Sequence, residues 1–322
     1  MLRAVHIGLA ASLLIASTPA VARDDYPNRP VQIVVPFVAG GNTDILTRIM
    51  AEHLQTAFKQ PFTVVNRPGA GTNIGAASVA SSDPDGYTLL VAPPASHVIN
   101  QYIYSSLQYD PEKSFTPITM VASYPNVLVV PSSMDVKSIQ ELIDKAKSSP
   151  GKINYASAGI GSTSHLAAAL FGAMAGVEIN HVPYRGTAQT LQDLITGRVD
   201  MTIDNLGPIL PFIRSGQLIA LGVSTRDPVS LLPGIAPIGT VLKGYELSSW
   251  NALSTTAGTP RSIVDKLSEE SNRILRKPDV AEKMRSIGSE PIGGTSDDVA
   301  KFFAAERVRW KQAVEAAKIP KM

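Results

Sequence analysis

Three short runs hold the residues able to do chemistry. The first is PFVAGGNTD, where Phe37 and the pair Gly40-Gly41 lead into Asn42, Thr43 and a carboxylate, Asp44. Both glycines allow φ > 0 and let a ligand come close to the chain. Asn42 or Thr43 suits a helix cap, and the free N–H groups of the first helical turn favour a negative ligand. The run lacks the lysine of a P-loop, so nucleotide phosphate fits poorly. It reads either as an anion cradle or as an ordinary strand-to-helix turn. The second run, SAGIGSTSHL, has Ser157, then Gly159 and Gly161 to free the backbone, then Ser162, Thr163 and Ser164 as hydroxyls and a cap, then His165 in the first turn. His165 is read as structural or ligand-facing, not as a metal ligand. The third is a pair of strand ends. HVPYRG offers Tyr184 and Arg185, whose guanidinium either forks onto a carboxylate or stands as a solvated charge. TIDNLG offers Asp204 and Asn205: the carboxylate accepts from a hydroxyl, ammonium or water, or else caps the turn at Gly207-Pro208.

These residues do not compose an enzyme motif. The sequence has neither a G-x-S-x-G elbow nor H-E-x-x-H, and it has no cysteine. SAGIGSTSHL misses the dinucleotide fingerprint, since Ser164 stands where the third glycine belongs and the next strand does not end on an acid. No cofactor and no metal are expected. Asp44 and Asp204 fall in different halves and would approach each other only on closure; a secreted hydrolase using such a pair is the alternative reading. With 29 Lys and Arg against 27 Asp and Glu, the chain lacks the basic excess of a nucleic-acid binder.

The elements that must position these runs form one pattern, present twice. Val31–Asp44, Phe62–Asn73 and Tyr87–Ser96 each read as a strand ending in a polar or glycine-rich loop, with helices after the first two. Lys152–Leu166, Glu178–Gln189 and Val199–Gly207 repeat it. Ile45, Leu46, Ile49 and Met50 make one apolar stripe; Leu166, Leu170, Phe171 and Met174 make another. Such alternation predicts mostly parallel sheets flanked by helices, with ligands beyond the carboxyl ends of the strands. Phe115 to Ser133 reads as a first crossing between two lobes, and the stretch through SSWNALSTT as the return; Trp250 there is read as hinge or core packing. Ser262 to Leu275 and Val299 to Ala317 are predicted helices that pack on the first lobe. The expected division is 23–125 for the first part of lobe 1, 126–225 for lobe 2, and 226–322 for the return and the C-terminal helices.

At the start, Arg3, an apolar run too short to span a bilayer and Ala20-Val21-Ala22 compose a secretory signal peptide, residues 1–22, cleaved near Ala22. The mature chain is then a protein of the periplasm.

Taken together, YPNRPVQIVVPFVAGGNTD, VVNRPGAGTNIGA, PDGYTLL, YASAGIGSTSHLA, HVPYRGTAQTLQDLITGRVD and DNLGPILPFIRSGQLIALGVST resemble the periplasmic solute receptors of tripartite tricarboxylate transporters, the Bug receptors. The match runs from about Tyr26 to the C-terminus. The resemblance implies a two-lobed, type II periplasmic binding protein with two hinge crossings. It implies a small organic carboxylate as ligand, gripped by the loops at Pro36–Asp44 and Ser157–His165 largely through backbone N–H groups and ordered water. Positions around Ser96 and His97 vary in the family and would tune ligand choice. Membrane subunits of such a transporter are the implied partner, and the receptor itself is expected to be a monomer. A ligand sensor would use the same fold and closure. On this reading Asp44 is a poor direct partner for the anion and instead shapes the loop.

Overall fold

The structure, a computed structural model, describes residues 26–322; the leader lies outside the described residues. Strand β1 (Val31–Val35) lies between and parallel to β2 (Phe62–Asn66) and β3 (Thr88–Ala92). Helix α1 (Asn42–Phe58) joins the first two, burying Leu46, Ile49, Met50 and Leu54 against the sheet. Helix α2 (Asn73–Ala80) follows β2; a π-helical turn (Ala95–Ile99) and the short α3 (Asn100–Ile103) follow β3.

Strand β4 (Phe115–Pro131) then runs through the whole molecule. Up to Pro125 it pairs antiparallel with β9 (Ser248–Thr256), which also pairs with β3. From Asn126 it pairs antiparallel with β7 (Met201–Asn205) and β8 (Leu218–Val223) in a second sheet. That sheet carries β5 (Ile153–Ser157) parallel to both β7 and β6 (Ile179–Pro183). Around it lie α4 (Ile139–Ser148), α5 (Thr163–Ala175), α6 (Thr187–Ile195) and α7 (Leu206–Arg214). The parallel cores are as expected; the strands that cross between them are antiparallel, so each sheet is mixed.

The return strand β9 leads into α8 (Arg261–Leu275), α9 (Pro278–Ser286), β10 (Glu290–Gly293), which pairs antiparallel with β4, and α10 (Ser296–Ala316). Helix α8 packs on the first lobe, with Val264 and Leu267 in one core with Leu46 and Leu54. Helix α10 departs from expectation. It packs on both lobes: Phe303, Trp310 and Val314 share a core with Ile99 and Ile103 of the first and with Leu166 and Phe171 of the second. It does so with one stripe, Val299, Phe303, Trp310 and Val314, which lies over the seam between the two lobes. Met174, placed in the buried stripe of α5 by its spacing, is 37% exposed instead. Trp250 is buried in the return strand and donates Nε1–H to Glu306 Oε2 (2.8 Å); Trp310 Nε1 donates to the same oxygen (2.8 Å). One carboxylate of α10 thus satisfies both buried indoles.

Candidate functional site

Three strand-to-helix junctions converge where the lobes meet. The first is the loop from β1 to α1. Gly40 has φ +89°, a conformation that needs glycine, whereas Gly41 has φ −81° and serves as the N-cap of α1. Gly41 therefore does not use a positive φ, and neither Asn42 nor Thr43 caps the helix. Asn42 Nδ2 donates to Ser289 Oγ (3.3 Å) and Thr43 Oγ1 points to Asn251 Oδ1 (3.4 Å) on the return strand. With no side-chain cap on α1, its first N–H groups stay available to a ligand.

Asp44 is what shapes this loop. Oδ2 accepts from Gly40 N (3.0 Å) and Arg48 Nε (3.0 Å); Oδ1 accepts from Asn66 Nδ2 (2.9 Å) and from Arg48 (3.0 Å). Burial pushes this carboxyl up, but the hydrogen bonds from Arg48, Gly40 and Asn66 outweigh it and hold the pKa below the usual value. The carboxylate is fully engaged beneath the loop and does not line the pocket.

The second junction runs from β5 to α5. Gly159 (φ +125°) and Gly161 (φ +82°) bend it. Ser162 is the N-cap, accepting from His165 N (3.2 Å) while donating to Gly159 O (2.6 Å). Ser157 Oγ accepts from Gly159 N (3.1 Å) and lies 2.6 Å from His181 Nε2; it ties the loop from behind. His165 Nδ1 accepts from Gly161 N (3.2 Å), and its ring stacks on His181 at 4.1 Å in a groove on the far side of the loop. Burial, then the neighbouring His181, pull His165 down to about 3, so it is neutral. Its ring faces that groove and not the pocket between the junctions.

The third junction runs from β7 to α7. Asp204 is 1% exposed. Its Oδ1 accepts from Asn205 N (2.8 Å), and its Oδ2 is buried without a partner. Burial pushes it up to about 6, against the opposing pull of the Asn205 amide and the Thr187 hydroxyl. Gly207-Pro208 is the start of helix α7, not an isolated turn.

Between the junctions is a pocket of about 20 Å³, lined by Phe37, Thr43, Ala95, Tyr124, Thr163 and Asp204, with Pro93, Pro94, Ala158, Ser162, Ser164 and Asn205. Around it gather buried polar atoms without protein partners: Asn42 Oδ1, Asp204 Oδ2, Asn205 Oδ1 and Asn251 Nδ2. Such atoms mark a place where water or a ligand completes the hydrogen bonding. A much larger groove, about 800 Å³, lies between α8, α9 and β10. It lacks converging helix N-termini, so volume is the poorer guide.

The cleft is shut in this structure. Val38 N donates to Arg185 O across it (3.3 Å), and Tyr104 Oη approaches Ile160 O (3.5 Å). Tyr184 and Arg185 stand at the mouth; Tyr184 Oη donates to Asp193 (2.7 Å), and Arg185 is exposed. Of the residues proposed from sequence, the pocket brings together Phe37, Ser162, Thr163 and Asp204. Gly40, Gly41 and Asn42 belong to the β1–α1 junction beside it but are not in its lining. Ser96 is turned away, its hydroxyl on Pro93 O (3.2 Å) and His97 Nδ1 (2.9 Å). The lining missed by sequence reasoning is Pro93, Pro94 and Ala95, one to three residues before Ser96, Ala158 inside the second loop, and Tyr124 in the crossing strand. The strand end VAPPAS was a signal for the first three; nothing in the spacing marked Tyr124. Asp44 and Asp204 are not brought together as a hydrolytic pair.

Comparison with known proteins agrees with this architecture. Residues 46–319 match the model of the tripartite tricarboxylate transporter family receptor. Protein BugT of Bordetella pertussis is 35% identical, over 91% of each chain. The solved structure of R. palustris Rpa4515 with adipate superimposes with a TM-score of 0.90 at 38% identity, covering 92% of this chain and 100% of that one. MatC from Rhodopseudomonas palustris, with bound malate, gives 0.86 at 30% identity, covering 90% and 100%. With its fold, its three converging junctions and this match over most of its length, the chain belongs to the receptor family of the tripartite tricarboxylate transporters.

Proposed function

We propose that the protein is exported, loses its leader near Ala22, and in the periplasm captures a small organic carboxylate for the membrane subunits of a tripartite tricarboxylate transporter. The observation that carries the reading is the uncapped N-terminus of α1 facing a buried pocket together with the junction of α5. Backbone N–H groups at helix starts bind a carboxylate without a fixed counter-charge. The adipate and malate held by similar proteins support a small organic acid, for which the roughly 20 Å³ left in the shut cleft must widen. The protein returns its ligand unchanged, since the pocket presents a single carboxylate, Asp204, and no activated nucleophile beside it.

Contact with both lobes at once favours the closed state, so capture and closure are one event. The test is a thermal-shift screen of C4 to C8 mono- and dicarboxylates against their amides and neutral sugars, with native mass spectrometry of the purified protein. Acids should raise the melting temperature and their neutral analogues should not. A preference for sugars, or recovery of a chemically altered acid, would overturn the reading.

A further inference from the structure

The pocket poses an electrostatic problem. An anionic ligand is proposed for it, yet no Lys, Arg or His lines it, and its one charged side chain is a carboxylate. Arg48 is occupied by Asp44. Arg185 stands exposed at the mouth, and His165 is turned into the groove behind its loop. Helix α1 presents Thr43, α5 presents Ser162, Thr163 and Ser164, α6 presents Thr187, and α7 presents Asn205. Strand β4 presents Tyr124, the one other titratable group in the lining, whose hydroxyl donates to Asn251 Oδ1 (2.9 Å).

We propose that Asp204 meets the ligand as a neutral carboxylic acid, so that the receptor captures an organic carboxylate together with one proton, held between Asp204 Oδ2 and a ligand oxygen. This rests on the carboxylate reading above. The geometry is that of an orphan: Oδ1 is taken by Asn205 N, while Oδ2 is buried and unpartnered, on a residue that lines the pocket. The neighbouring asparagines have another recourse, because an amide can turn either its oxygen or its nitrogen to the ligand. Asp204 becomes a donor only by taking up a proton. Two carboxyl groups at hydrogen-bonding distance in a buried site cannot both ionise; they share one proton. Burial, net of the opposing Asn205 and Thr187 contacts, already holds Asp204 at about 6, and an adjacent ligand anion raises it further. The proton comes from solvent on binding and returns to it on release, and no other bond changes. Asp204 is thereby a specificity residue: it selects a ligand bearing an acceptor oxygen there, and disfavours one bearing a second fixed charge without a proton.

The experiment is titration calorimetry of the full mature chain at pH 7.5, with adipate and with malate as probes, in phosphate and in Tris. The difference in apparent enthalpy between buffers gives the protons exchanged. About one proton taken up per ligand is expected. Affinity should fall about tenfold per pH unit above the pKa of free Asp204. Asp204→Asn should bind with no proton exchange and with affinity nearly flat in pH. The wild-type proton count stands by itself if that variant does not fold. Binding with no proton uptake, or uptake that persists in Asp204→Asn, would overturn the proposal. If neither acid, nor any of the screened carboxylates, binds at any pH from 5 to 8, the carboxylate reading itself fails and this inference with it.

Discussion

At the scale of single residues, the site is built on what side chains do not do. Gly41 is buried, yet a Cβ placed on it would meet nothing within 4 Å, so it would stand in the unfilled space of the cleft. Its φ of −81° and ψ of 168° suit a β-branched residue. Gly41→Val should therefore leave the fold intact by circular dichroism and lower carboxylate affinity about a hundredfold, close to 3 kcal/mol. Normal binding by this variant would mean that the ligand does not sit against the α1 junction. Asp204 carries a different liability. Its pKa of about 6 in the shut cleft lies above the ordinary carboxylate value of 3.8, so the native state with the cleft shut binds the proton more tightly than the unfolded chain does. The sign follows: stability is fully present below pH 3.8 and falls as pH rises through 6, by roughly 3 kcal/mol in all. Asp204→Asn should match the wild type in urea denaturation at pH 4 and exceed it by about that amount at pH 8. Equal stability at pH 8 would show that the ionised carboxylate is well solvated in the open cleft.

Among the elements, the strand–loop–helix repeat was legible because hydrophobic periodicity and glycines report local structure directly. The runs at Pro36–Asp44 and Ser157–His165 do lie at converging junctions. Less was legible where a residue's role depends on a partner far along the chain. Asp44 reads in sequence as a carboxylate at an anion loop, and only Asn66 and Arg48 reveal it as the loop's brace. Gly41 looks like its neighbour Gly40, but the helix begins one residue earlier than the capping preferences suggested. Helix α10 is the largest such difference. Within it Glu306 falls by spacing on the buried stripe with Phe303 and Trp310, but its charge reads as surface. Glu306→Leu would leave the indole N–H groups of Trp250 and Trp310 buried without an acceptor, costing about 1–3 kcal/mol each. Glu306→Gln, which retains an acceptor oxygen, should restore most of the loss. Guanidinium denaturation followed by tryptophan fluorescence would check both, and an unchanged midpoint in Glu306→Leu would place the stability of this seam in packing alone.

For the molecule as a whole, closure is set by how nearly the two backbones touch. Gly71 of the first lobe has φ +58°, and a Cβ there would fall on the carbonyl oxygen of Ile160 in the second. In Gly71→Ala the left-handed conformation itself costs only about 1–2 kcal/mol. The approach to the Tyr104 hydroxyl of the same lobe is relieved by moving that flexible side chain, whereas the clash with the Ile160 backbone arises only when the lobes meet, so the variant should fold but stay propped open. Small-angle scattering should then give a radius of gyration that shrinks with adipate for the wild type and does not for Gly71→Ala. The hinge around which this happens has a further consequence. Because β4 supplies a strand to both sheets, and α10 is shared by both cores, neither lobe is a separable unit. Cutting the chain at the crossing would remove a central strand from each half. The protein should accordingly melt as one cooperative block: scanning calorimetry should give a single peak whose van't Hoff and calorimetric enthalpies agree. A receptor of this design flexes as two bodies but lives and dies as one, so a destabilising change in the lobe remote from a given ligand contact would lower the amount of functional receptor just as surely as a change beside it.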